Sequence, residues 1–78
     1  MELRQVFARN LRKARKSAGV SQEELAYRAE LDRTYVSALE RCLYSASLDT
    51  IERLANALEV EPAALLVAEQ KRGTGRQR

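Results

Sequence analysis

Apolar residues recur at spacings of three and four along most of the chain, the period of an α-helix with one face turned inward. In the first segment Leu3, Phe7, Leu11, Ala14 and Ala18 fall on one face while Arg4, Arg12, Lys13 and Lys16 point elsewhere, and Gly19 supplies the stop. Ser21, with Glu24 three residues on, has capping-box spacing, in which each side chain satisfies a free backbone N–H at a helix start. A second helix is therefore predicted from about Gln22 to Ala29. Asp32 caps a third, with Val36 and Leu39 inward and an end near Arg41. Ser47 opens a fourth, with Asp49 and Glu52 set against the positive helix start and Leu48, Ile51, Leu54, Ala55 and Leu58 as its apolar stripe. Pro62 suits the first turn of a short fifth helix carrying Ala63, Leu65, Leu66 and Val67. No stretch alternates apolar with polar over strand length. The expectation is an all-α, compact five-helix bundle in residues 1–70, followed by a disordered basic tail at 71–78, KRGTGRQR, with no apolar group to anchor it.

Within that bundle the second and third helices, residues 22–41, are short and joined by a turn of about three residues, the minimum unit for presenting one helix to a major groove. Ala26 is small where the pair must cross. Leu25, Ala29, Leu31, Val36 and Leu39 lock the two helices together, which leaves Arg33, Thr34, Ser37 and Ala38 on the outward face of the third.

Bulk properties narrow the function. The chain has 78 residues, room for one domain and too few for a separate sensor domain. The net charge of +3 is modest, but its distribution is uneven. Residues 1–16 hold six basic side chains and one acidic, residues 17–70 four basic and ten acidic, and residues 71–78 four basic and none acidic. Basic ends around an acidic middle suit focused contact with a polyanion, or simply a solvated face and a soluble tail. With no histidine, no glycine-rich phosphate loop and no metal-ligand cluster, an enzyme, a metal site and a cofactor are not expected. The single Cys42 has no partner in the chain, which fits a reducing compartment. No apolar run approaches the roughly 20 residues needed to span a bilayer, and MELRQVFARN is no secretory signal, so a cytoplasmic protein without membrane contact is expected.

The stretch GVSQEELAYRAELDRTYVSALER followed by SLDTIERLANALEV resembles the Cro/CI-type (XRE) helix-turn-helix family of phage repressors and related bacterial regulators. The resemblance runs from residue 3 to about 66, with SQEELA, LDRTYVS, LER and SLDTIERLA in family order and spacing. It implies a regulator of transcription that binds double-stranded DNA. Gln22 would clamp a phosphate at the start of the second helix. Arg33 and Thr34, then Ser37 and Ala38 one turn later, would face base edges, with Arg33 donating two hydrogen bonds to a guanine. Tyr35 would touch the sugar-phosphate backbone or cover the turn, and Arg41, Tyr44 and Ser45 would lie along that backbone. Arg15 and Glu40 match a buried pair that ties the first helix to the end of the third. Glu30, Cys42 and Ala46 depart from the usual glycine, glycine and proline. Within the family, LDRTYVS and LER look most like controller proteins of restriction-modification systems. Cys42 is read as an ordinary free thiol, with a redox sensor as the alternative.

One recognition helix reads only a few base pairs, so a homodimer on a pseudo-palindromic site is expected. Leu65, Leu66 and Val67 are its candidate interface, unless they close the monomer's own core. Without a sensor domain, control would run through the protein's own concentration, as autoregulation. An activator would also need a surface for RNA polymerase, for which Glu23, Glu24 and Glu30 are candidates. The rival reading is an antitoxin that occludes a toxin protein and binds its own operator.

Overall fold

The computed structural model describes residues 2–68, so the basic tail expected at 71–78 lies outside the described residues. Four α-helices follow in order: α1 (Leu3–Ala18), α2 (Gln22–Ala29), α3 (Arg33–Glu40) and α4 (Leu48–Leu58). The expected fifth helix is a single 3-10 turn, Pro62–Leu65. The turn is four residues long, too short for the i to i+4 ladder of an α-helix.

The starts of α2, α3 and α4 are set by side chains, whereas Glu2 at the start of α1 makes no side-chain cap. Ser21 Oγ accepts from the Glu24 N–H at 3.0 Å, Asp32 Oδ2 from the Thr34 N–H at 3.1 Å, and Ser47 Oγ from the Thr50 N–H at 3.1 Å. The capping box at α2 is only half made, because the Glu24 carboxylate accepts from Arg28 Nε at 2.8 Å one turn on.

The helix ends share one device. Gly19, Glu30, Cys42 and Glu59 follow α1 to α4 in the left-handed conformation, with φ between 59° and 75°. At each, the N–H of that residue and of the next reach back to carbonyls of the last turn: Glu30 to Tyr27 and Leu31 to Ala26, Cys42 to Leu39 and Leu43 to Ala38. This is the Schellman arrangement. The residue after each turn, Val20, Leu31, Leu43 or Val60, is aliphatic, and three of these four pack on the core while Leu43 stays exposed.

The core gathers Phe7 and Leu11 of α1, Leu25, Ala26 and Ala29 of α2, Val36 and Leu39 of α3, and Ile51, Leu54, Ala55 and Leu58 of α4. α2 packs on α3 and α4, while α1 closes over α3 and the 3-10 turn. Three positions of the expected apolar faces lie outside: Leu3, Ala18 and Leu48 are exposed. Each sits in the first or last turn of its helix, where the bundle no longer covers it. Val6 and Ala8, on either side of Phe7, are buried as well, so the inward face of α1 is wider than the expected one there.

The C-terminal turn corrects the expected dimer face. Leu65 is 1% exposed and belongs to the monomer's core, Leu66 packs partly against it, and only Val67, at 59%, is open. Asn10 fixes this segment: its Nδ2 donates to the carbonyls of Leu65 at 3.0 Å and Val67 at 2.9 Å, which end the 3-10 turn without further partners in the ladder. No helix among the described residues is long and apolar enough to cross a membrane.

Candidate nucleic-acid interface

Eight residues of α3 carry the candidate surface, and the neighbouring helices decide how much of it stays open. Val36 and Leu39 are buried in the core, and Glu40 lies beneath α1. At about 100° per residue, the exposed side is an arc of roughly 100° holding Arg33, Ser37, Arg41 and Thr34. Arg33, Thr34 and Arg41 are exposed and Ser37 is half-buried.

Ala38 is not on this arc. The expected outward position is 4% exposed, about 40° beyond Thr34 by helical geometry, where the chain leaving α3 folds back and the Leu43 N–H donates to the Ala38 carbonyl at 2.9 Å. A side chain there has no route to a base edge. Its methyl group is too small and too neutral for the sequence alone to tell the open face from the closed one.

Tyr35 is half-buried against the core, and its ring centre lies 6.2 Å from that of Tyr44. The pair pins the loop after α3, with Tyr44 and Ser45 exposed beside it. By helical geometry Tyr35 lies about 100° beyond Thr34, off the exposed arc, with its ring turned toward Tyr44 in the loop after α3.

Beneath the surface, three helices meet at one carboxylate. Arg15 donates from Nε to Glu40 Oε2 at 2.6 Å and from Nη2 to Oε1 at 3.0 Å, and its Nη1 reaches the Val20 carbonyl at 3.0 Å. Gln22 Nε2 donates to Glu40 Oε1 at 3.1 Å. The hydrogen bonds from Arg15 to Glu40, aided by the attraction of opposite charges and opposed by partial burial, hold the guanidinium's pKa above its ordinary high value. The Glu40 side chain is 3% exposed and that of Arg15 12%, so this is a desolvated, bidentate pair rather than a surface one.

The family resemblance implies a phosphate contact for Gln22; its bond to Glu40, 18 residues away, has no local signal in the sequence. An amide nitrogen carries two hydrogens, so with one committed to Glu40 the other still points from the start of α2. The Ser21 cap leaves the first N–H groups of α2 available beside it. Glu40 therefore ties the start of α2 to the end of α3 and fixes the distance between them. Glu23 and Glu30, two of the acidic candidates for a polymerase contact, are exposed, while Glu24 is engaged with Arg28.

The interhelical turn is held from the far side. Arg53 of α4 donates from Nη1 to the carbonyl of Glu30 at 3.3 Å, a tie that no local pattern announces. Asn10 and its latch on the C-terminal turn were likewise missed. Both link residues far apart in the chain, and neither residue type is unusual at an exposed helix position. Among the described residues no group of three or more His, Cys, Asp or Glu is gathered as for a metal ion.

Known proteins of similar sequence share this arrangement. A hypothetical transcription factor of Neisseria meningitidis serogroup B is 49% identical over 71 residues, spanning 91% of this chain and 67% of the relative, and its Neisseria crystal structure superposes with a TM-score of 0.86 over 91% of this chain and 82% of that one. Control protein C.BamHI of Bacillus amyloliquefaciens is 43% identical over 65 residues, 82% of this chain and 80% of the relative. The restriction-modification controller protein C.Esp1396I, solved as a tetramer with its natural 35 base-pair operator, is 32% identical with a TM-score of 0.77, covering 83% of this chain and 86% of that one. The model of the helix-turn-helix family matches residues 11–65, from the middle of α1 to the end of the 3-10 turn, and this chain belongs to that family.

Proposed function

We propose that this protein is a transcriptional regulator that binds a pseudo-palindromic DNA operator as a homodimer, in the manner of a restriction-modification controller acting on its own gene. The observation that carries the reading is the exposed arc of α3, where Arg33, Thr34, Ser37 and Arg41 stand outward on a helix whose opposite side is locked in the core. Arg33, at the start of α3, donates its two hydrogen bonds to the O6 and N7 of a guanine. Thr34 and Ser37 read neighbouring edges. Gln22, Tyr35, Arg41, Tyr44 and Ser45 hold the phosphates on either side and set the register.

C.Esp1396I, seated on its operator as a tetramer, and control protein C.BamHI support this reading through their likeness to this chain. The antitoxin alternative draws no support from these relatives. No catalytic step is assigned to the chain, and its place of action is the cytoplasm, where its DNA is.

The two-fold contact falls to Val67 and the apolar groove it borders, which Ala14, Ala18, Leu58, Val60 and Ala64 also line. Leu65, buried in the core, forms part of the groove's floor, whereas Leu66 faces a different groove beside Leu3 and Phe7. Two copies joined there bring their α3 helices to half-sites about 34 Å apart, one turn of duplex. Footprinting on the DNA upstream of the protein's own gene tests the whole reading. Two protected segments one turn apart are expected; uniform weak protection across the fragment would reject it.

A further inference from the structure

Apart from Arg15, the basic side chains of α1 are exposed. Arg9, Arg12, Lys13 and Lys16 line one open cleft between α1 and the end of α3, and Arg41 lines it from the other side. The one carboxylate in that lining, Glu40, is engaged by Arg15. Arg9, Arg12, Lys16 and Arg41 are exposed, and among the described residues no carboxylate forms an ion pair with any of them. Arg9, Arg12, Lys16 and Arg41, gathered in one cleft, repel each other and raise the local potential, which favours a polyanion. Their spacing is informative. Residues 9, 12 and 16 span about 10 Å of helix at 1.5 Å per residue. A DNA strand presents one phosphate per 3.4 Å of its axis, so roughly three phosphates cover that distance.

We infer that this cleft is a second phosphate-binding strip, in which Arg9, Arg12 and Lys16 take the sugar-phosphate backbone of duplex DNA outside the half-site that α3 reads. The inference rests on the DNA-binding reading above. Arg41 makes the two surfaces continuous, since it belongs both to the exposed arc of α3 and to the cleft. The duplex is favoured over a small anion because the cleft is open and elongated along α1, with its charges on long side chains and no buried donor to define a compact site.

The test measures binding of the full chain, by fluorescence anisotropy across a salt series, to a selected operator duplex ending at the half-site edges and to one extended by about ten base pairs on each side. The variants are the triple Arg9→Gln, Arg12→Gln, Lys16→Gln and a companion triple with lysine at positions 9 and 12 and arginine at 16. The unmodified protein is expected to bind the extended duplex about tenfold tighter. The glutamine triple loses that gain, and its slope of log K against log salt falls by about 0.9 per lost phosphate, roughly 2 to 3 in all, on the extended duplex only. The charge-keeping triple retains both. Equal losses on both lengths, or no loss on either, overturn the strip. If the unmodified protein prefers no sequence even on the short duplex, the operator reading itself fails, an outcome distinct from normal discrimination with no flank effect.

Discussion

Arg15 grips the Glu40 carboxylate with two parallel hydrogen bonds, 2.6 and 3.0 Å long, at the point where α1, α2 and α3 meet. Such a pair contributes little over a well-packed apolar substitute, yet breaking it strands a buried charge. Glu40→Ala is therefore expected to cost about 3 to 5 kcal/mol in urea unfolding, while the double change Arg15→Met, Glu40→Leu costs less than either single one. A Glu40→Ala protein with an unchanged unfolding midpoint would refute this account of the pair.

Stability should not respond to pH near neutrality. The Arg15 guanidinium has its pKa raised in the folded state, so its contribution is complete at all pH values below the unfolded value and is lost only as strong alkali carries pH through the folded one. The chain has no histidine to titrate in between. Between pH 6 and 9 the unfolding free energy is expected to vary by less than about 1 kcal/mol. A steep transition in that window would mean that another group is coupled to folding.

Arg33 and Ala38 stand on opposite sides of the boundary between surface and core, and their variants should separate accordingly. Arg33→Ala is expected to reduce the preference for operator over random DNA by about 1 to 3 kcal/mol with little change in melting temperature. Ala38→Leu should do the reverse, costing about 1 to 3 kcal/mol of stability through overpacking. Equal weakening on operator and random DNA by Arg33→Ala would sink its base-reading role.

The contrast shows what one sequence can and cannot convey. Caps, apolar periods and short turns are local, so Ser21, Asp32 and Ser47 mark three helix starts and the four helices are legible within a few residues. The rotation of a helix against its neighbours is not local. An alanine at 38 fits either side of α3, and Leu3 and Leu48 look like core until the bundle ends short of them. Arg15 and Glu40 become a pair only through family likeness, since 25 residues separate them. Ties such as Asn10 to the C-terminal turn leave no mark in the sequence at all.

That last tie has a measurable consequence. Asn10 donates to the carbonyls of Leu65 and Val67, and Leu65 is in turn a core residue. Asn10→Leu removes the donor and leaves the part-buried Leu65 carbonyl unpaired, while water can take over at the exposed Val67 carbonyl, an expected cost of about 1 to 2 kcal/mol. Hydrogen exchange should quicken first at the amides of Ala64 and Leu66, which close the 3-10 turn. If dimerisation uses Val67, the same change weakens self-association in sedimentation, whereas an unaltered dimer would detach that surface from the latch.

Three of the four helix ends place a side chain where glycine is the usual occupant: Glu30, Cys42 and Glu59 have φ near 60°, as Gly19 has 75°. A left-handed backbone costs a non-glycine residue about 1 to 2 kcal/mol, partly recovered because glycine loses more freedom on folding. Glu30→Gly and Glu59→Gly are thus each expected to stabilise the fold by roughly 0.5 to 1 kcal/mol. Gly19→Ala should destabilise by a similar amount through φ alone, since a Cβ at residue 19 would meet nothing within 4 Å. Glu30→Gly adds a discriminating feature, because its carbonyl is also held by Arg53 and its turn sets α3 against α2. If the turn geometry is already the one glycine prefers, operator affinity stays constant while the melting temperature rises. A fall in affinity alongside that rise would mean that strain at Glu30 helps aim α3.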